Sequence, residues 1–186
     1  NILIIIGSME NLPFSRQDLQ KRLLGMRLLD FAEAESASLL KERIALGNFS
    51  AYSTIIFFGH SVHSGDSHST GLVCRDGSIF SIDDCHVFAD SPPGCMVVNG
   101  CQSAHSTLFS RNSFACAMLK VGVEVYIGTH FLLEFERSMT FIESFCKYLS
   151  QESSYYNAYS KALEDLIKLY GKDDISPYNY VYYGDI

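Results

Sequence analysis

No apolar run in this 186-residue chain is long enough to cross a bilayer: the longest, residues 54–58 with their neighbours, falls far short of the roughly 18 residues a membrane helix needs. Basic runs are missing too. With 14 Lys and Arg against 21 Asp and Glu the net charge is -7, so the chain lacks the clustered cations that general affinity for nucleic acid requires. The six cysteines form neither a CxxC pair nor a dense framework, which leaves free thiols in a reducing, cytoplasmic setting as the expectation. There is no internal repeat, no low-complexity segment, and no charged leader ahead of an apolar segment. The sequence opens at Asn1 directly in a strand-like run and reads as the C-terminal part of a larger protein. What is present is 47% hydrophobic and 19% charged residues, a balance that suits one packed domain over residues 1–186.

Apolar, β-branched runs at residues 1–6, 54–58, 95–98 and 123–128 predict strands buried on both faces, with further strands at 27–31 and 178–183. Between them, Ser15 is placed to cap a helix running to Leu24, and apolar positions at helical spacing mark helices around residues 37–44, 114–121, 135–149 and 159–170. Arg75-Asp76-Gly77, between two short apolar runs, predicts a small β-hairpin. Strands alternating with helices give an α/β fold, a mainly parallel sheet with helices on both faces, whose ligands sit at the carboxyl ends of the strands.

Two polar loops leave predicted strands directly: Gly59-His60-Ser61-Val62-His63-Ser64-Gly65-Asp66, and Asn99-Gly100-Cys101-Gln102-Ser103. Right-handed crossovers put both at one sheet edge. A free thiol, with pKa near ~8.5, is only a few per cent ionised at neutral pH, and an adjacent imidazole that takes its proton makes it a nucleophile for carbonyl carbon. His60 and Cys101 are therefore the candidate base and nucleophile. Backbone N–H groups of the tight turn at Gly100 and Cys101 are candidate donors to a developing oxyanion.

At these residues the chain resembles the CHAT domains, caspase-like peptidase domains often fused to tetratricopeptide repeats. The resemblance rests on Phe58-Gly59-His60-Ser61, Gly71-Leu72, Val98-Asn99-Gly100-Cys101, the strand at 123–128 and the closing Tyr183-Gly184-Asp185. It implies a caspase-like fold and a cysteine endopeptidase that cleaves a protein substrate through a Cys-His dyad and a thioester acyl-enzyme, without metal or organic cofactor. It also implies control by an upstream tetratricopeptide-repeat region or a regulatory protein. Ser61 stands where the family usually has Gly, at the residue whose amide would join the oxyanion site, and Asn99-Gly100 replaces the commoner Ser-Ala. By analogy, Asn99 lines the pocket for the residue before the scissile bond, with Glu134 and Asp66 as acidic candidates for its wall.

Other readings compete. A domain that keeps the fold as a catalytically idle, protein-interaction module is the principal alternative. Gly59-His60-Ser61-Val62-His63 nearly matches a serine-hydrolase elbow, but His63 occupies the position that needs Gly, and no helix follows. His60, His63, His68, Cys101 and His105 are possible zinc ligands at an unfamiliar spacing. Cys74, Cys85, Cys95, Cys116 and Cys146 fall in apolar runs or helix faces and read as structural.

Overall fold

The computed structural model describes residues 1–10, 15–23, 29–64, 66–101, 103–104, 113–132, 134–151 and 154–185. Four strands, β1 (Ile2–Ile6), β3 (Thr54–Phe58), β7 (Cys95–Asn99) and β8 (Val125–Thr129), are buried along their whole length, as continuous apolar runs require. With the half-buried β2 (Leu29–Glu33) and β9 (Tyr180–Tyr183) they form a sheet of order β2-β1-β3-β7-β8-β9. All neighbours pair in parallel except β8 with β9.

Alternation along each strand sends side chains to two cores. One face, carrying Leu3, Ile5, Ile55, Phe57, Met96 and Val98, packs under α2 (Ala37–Ala45) and α3 (Phe114–Lys120). The other, carrying Ile4, Ile56, Val97 and Ile127, packs under α1 (Arg16–Leu23), α4 (Phe135–Leu149) and α5 (Tyr155–Tyr170). Each such Ile, Val or Phe contributes roughly 1.5–3 kcal/mol on burial, so the sheet interior is the most strongly determined part of the chain. Ser15 does cap α1: its amide donates to the Asp18 carboxylate at 2.8 Å while the Asp18 amide donates to Ser15 Oγ at 3.3 Å. Leu24, the expected end of that helix, lies outside the described residues.

A second, three-stranded sheet carries the expected hairpin, β5 (Gly71–Val73) and β6 (Ile79–Ser81), with β4 (Ser61–Val62) added antiparallel to β5. A 3₁₀ stretch over Ile82–Phe88 follows, started by reciprocal bonds between Ser81 and Asp84. Some boundaries differ from expectation. The second strand runs on to Glu33, because it pairs along β1 as far as Ile6↔Glu33; its expected start at Arg27 lies outside the described residues. The last strand begins only at Tyr180: Pro177, in the first turn of α6 (Ser176–Asn179), favours a helical start, and the Ser176 amide donates to Asp174 Oδ1 at 2.8 Å. Among the described residues no helix is long and apolar enough to cross a membrane.

Candidate active site

Strands β3 and β7 are adjacent and parallel, with Phe58 opposite Asn99, so the loops that leave them emerge side by side at the carboxyl edge of the sheet. His60 comes two residues after β3 and Cys101 two after β7. Glycine makes the close approach possible. Gly59 has φ 155°, and a Cβ there would meet the Ser8 carbonyl at 2.9 Å; a Cβ on Gly100 would meet Ser61 Oγ at 2.7 Å and the Gly59 carbonyl at 2.8 Å. The loops are also stitched: the Ser61 hydroxyl donates to the Cys101 carbonyl at 2.5 Å. The hydroxyl that departs from the usual Gly is thus in use.

His60 is fixed by its backbone and by its ring. Its amide donates to the Ser8 carbonyl at 3.0 Å and its carbonyl accepts from the Val73 amide at 3.0 Å. Ring Nε2 lies 2.6 Å from the Glu10 carbonyl oxygen. A carbonyl only accepts, so the proton of a neutral ring sits on Nε2 and Nδ1 keeps its lone pair, the arrangement a general base needs. Glu10 contributes this through its backbone, and no side-chain pattern could have singled it out. The adjacency of β1 and β3 was the only signal.

Ser61 pairs with Leu72, and the Val73 amide bonds the His60 carbonyl, which makes Ser61↔Leu72 the non-hydrogen-bonded kind of antiparallel pair. The Ser61 N–H is therefore directed off the outer edge of β4, away from β5. The opening between Ser61 and Ser103 is about 10 Å³, at the lower limit for one water. A larger cleft of about 440 Å³ meets this region through Ser8 and Glu10, whose carbonyls both bond His60. Its far wall holds Arg16 and Arg75, both ion-paired to Glu33.

The family model described as the CHAT domain matches residues 8–182. The chain belongs to the CHAT-domain family. Among solved structures it is similar to the crystal structure of the Drosophila initiator caspase Dronc, with a TM-score of 0.53 and 10% sequence identity over 98% of this chain and 78% of that one. At that identity the likeness establishes the fold, which is caspase-like. No curated protein sequence matches the chain.

Neither of these two cavities is lined by the other predicted pocket residues of this CHAT domain, Asn99, Glu134 and Asp66. Asn99 is 4% exposed, and its Oδ1 accepts from the Tyr180 hydroxyl at 2.8 Å, while Nδ2 has no partner among the described residues. Burial holds the Tyr180 phenol well above its ordinary pKa, and nearby Cys101 adds to that effect. Glu134 precedes α4 and is ion-paired to Arg137. Asp66 is exposed between β4 and β5; the Ser69 hydroxyl at 2.9 Å, with the His68 amide, holds its carboxyl below the usual range.

The competing readings find less support in the geometry. Ser61 belongs to a strand, not to a strand-to-helix turn, and its hydroxyl is engaged with Cys101. His68 pairs with Asp83 at 2.5 Å, and His105 lies outside the described residues. Among the described residues no three His, Cys, Asp or Glu side chains are grouped to hold a metal. Of the cysteines, Cys74, Cys85, Cys95 and Cys146 are buried, and burial raises all four thiols, Cys74 to about 11 and Cys146 to about 12. Cys101 and Cys116 are half-exposed.

Proposed function

We propose that this domain is a cysteine endopeptidase in which Cys101 is the nucleophile and His60 the general base. The observation that carries the reading is the 2.6 Å contact from His60 Nε2 to the Glu10 carbonyl, which leaves Nδ1 as acceptor on the loop beside Cys101. Nδ1 takes the thiol proton, Sγ attacks the scissile carbonyl carbon, and the carbonyl electron pair moves to oxygen. The outward N–H of Ser61 and the N–H of Cys101 receive that oxyanion, each such donor being worth roughly 3 kcal/mol. Collapse breaks the C–N bond, His60 returns the proton to the leaving amine, and water hydrolyses the thioester.

Asn99, buried against Tyr180 beneath the turn that carries Cys101, backs the pocket for the residue before the cut from below. The substrate is a protein, and activity is held in check by an upstream tetratricopeptide-repeat region or a partner protein in a cytoplasmic setting. The test is cleavage of a diverse peptide library by the purified protein and by Cys101→Ala. Cleavage that vanishes in Cys101→Ala is expected; no cleavage by either, with or without upstream sequence, identifies an interaction module instead.

A further inference from the structure

Once β7 ends at Asn99, its backbone loses the ladder, and every buried carbonyl of the turn needs a new partner. Here those partners are hydroxyls, two from β8, one from β4 and one from the turn itself. The Gly100 carbonyl accepts from Thr129 Oγ1 at 2.6 Å, the Cys101 carbonyl from Ser61 Oγ at 2.5 Å, the Val98 carbonyl from Ser103 Oγ at 2.8 Å, and the Ser103 carbonyl from the Tyr126 hydroxyl at 2.8 Å. Thr129 is held on every side. It is 0% exposed, its amide donates to Ser103 Oγ at 3.0 Å, and its carbonyl accepts from the Ala104 amide at 2.8 Å.

In a planar trans peptide, C=O and the following N–H point in opposite directions. A Gly100 carbonyl held down on Thr129 therefore turns the Cys101 N–H to the other side of the peptide. We propose that Thr129 is a positioning residue for acyl transfer: its hydroxyl sets the Gly100–Cys101 peptide, while Ser61 holds the next carbonyl along, so that the Cys101 N–H faces the oxygen on which charge develops. The inference rests on Cys101 being the nucleophile, but not on peptide being the substrate. Neutral hydroxyls suit the task because they fix the backbone without placing a charge beside the thiolate.

The test separates two reactions of the same sulfur. With p-nitrophenyl acetate, Sγ bonds the acetyl carbon, the thiol proton leaves to His60, the carbonyl oxygen carries charge until the C–O bond breaks, and p-nitrophenolate departs. With iodoacetamide, Sγ displaces iodide at a saturated carbon and no oxyanion forms. Thr129→Val removes the hydroxyl while keeping a β-branched shape. It is expected to slow acetylation of Cys101 by about 10²-fold, at the low end of what losing an oxyanion donor does, and to leave the alkylation rate and its pH profile within about twofold. Thr129→Ser is expected to restore acetylation to within about threefold.

Should Thr129→Val fail to fold in a urea titration, Thr129→Ala carries the same test, with acetylation down by about 10²-fold and alkylation unchanged. Acetylation at the wild-type rate in the variant that folds overturns the proposal, as does a parallel fall of both reactions or a wild-type Cys101 acetylated no faster than free cysteine. Preserved selectivity of acetylation in a protein that cleaves no peptide sinks the peptidase reading alone and leaves the role of Thr129 standing.

Discussion

Cys95 and Cys101 flank one strand and have opposite surroundings. Cys95 opens β7, 0% exposed, in the core formed with α4 and α5, where burial drives its thiol far above the ordinary range. Cys101 lies two residues past the other end, half-exposed, in a turn held by the Thr129 and Ser61 hydroxyls and next to the loop that carries His60. The strand is the same and so is the residue type. What separates filler from candidate nucleophile is the carboxyl end of a parallel strand, where the ladder stops and backbone polar groups become available.

The strongest way to break this contrast is substitution at each end. Cys101→Ala and His60→Ala should each lower kcat/KM by at least about 10³-fold, with the double variant no worse than either, because two groups that serve one step are not additive. Cys95→Ala should leave kcat/KM of the folded protein within about twofold and cost about 1–2 kcal/mol in urea unfolding, the effect of removing one buried heavy atom. Next in size is Gly100→Ala. Its Cβ would come within 2.7 Å of Ser61 Oγ and 2.8 Å of the Gly59 carbonyl, so the two loops must part. Turnover should fall by about 10²-fold, as small misplacements of reacting groups do, with thermal unfolding lowered by only a few degrees.

The division between the two ends of the strand also describes what the sequence made visible. Apolar runs announced β1, β3, β7 and β8, because a strand buried on both faces is apolar along most of its length, and the same runs marked where His60 and Cys101 leave the sheet. The residues that hold these two were silent. Glu10 acts through a carbonyl that every residue possesses, and Thr129 and Tyr180 reach the turn from β8 and β9, far along the chain. The Asn99 side chain, assigned by analogy to a pocket, lies beneath the turn against Tyr180. Analogy supplied its position along the chain, whereas its depth depended on how β9 folds back.

The smallest predicted effect sharpens the contrast from the buried side. A thiol in the unfolded chain ionises near ~8.5, whereas burial lifts those of Cys85, Cys95 and Cys146 well above this, Cys146 to about 12. A folded pKa above the unfolded one means the stability is fully present below ~8.5 and is lost as pH rises from there toward the folded value. Each buried thiol should therefore take away about 1–2 kcal/mol by about pH 10, and Cys146→Ala should shrink the loss of unfolding free energy between about pH 8 and 10 by that amount.

If Cys101 reacts because His60 stands beside it, peptide mapping of iodoacetamide-treated, folded protein at neutral pH will show it. Cys101 should be modified well ahead of the other five cysteines and faster than free cysteine, with the excess rate lost in His60→Ala. Modification of Cys101 at the rate of free cysteine, unchanged in His60→Ala, would contradict it.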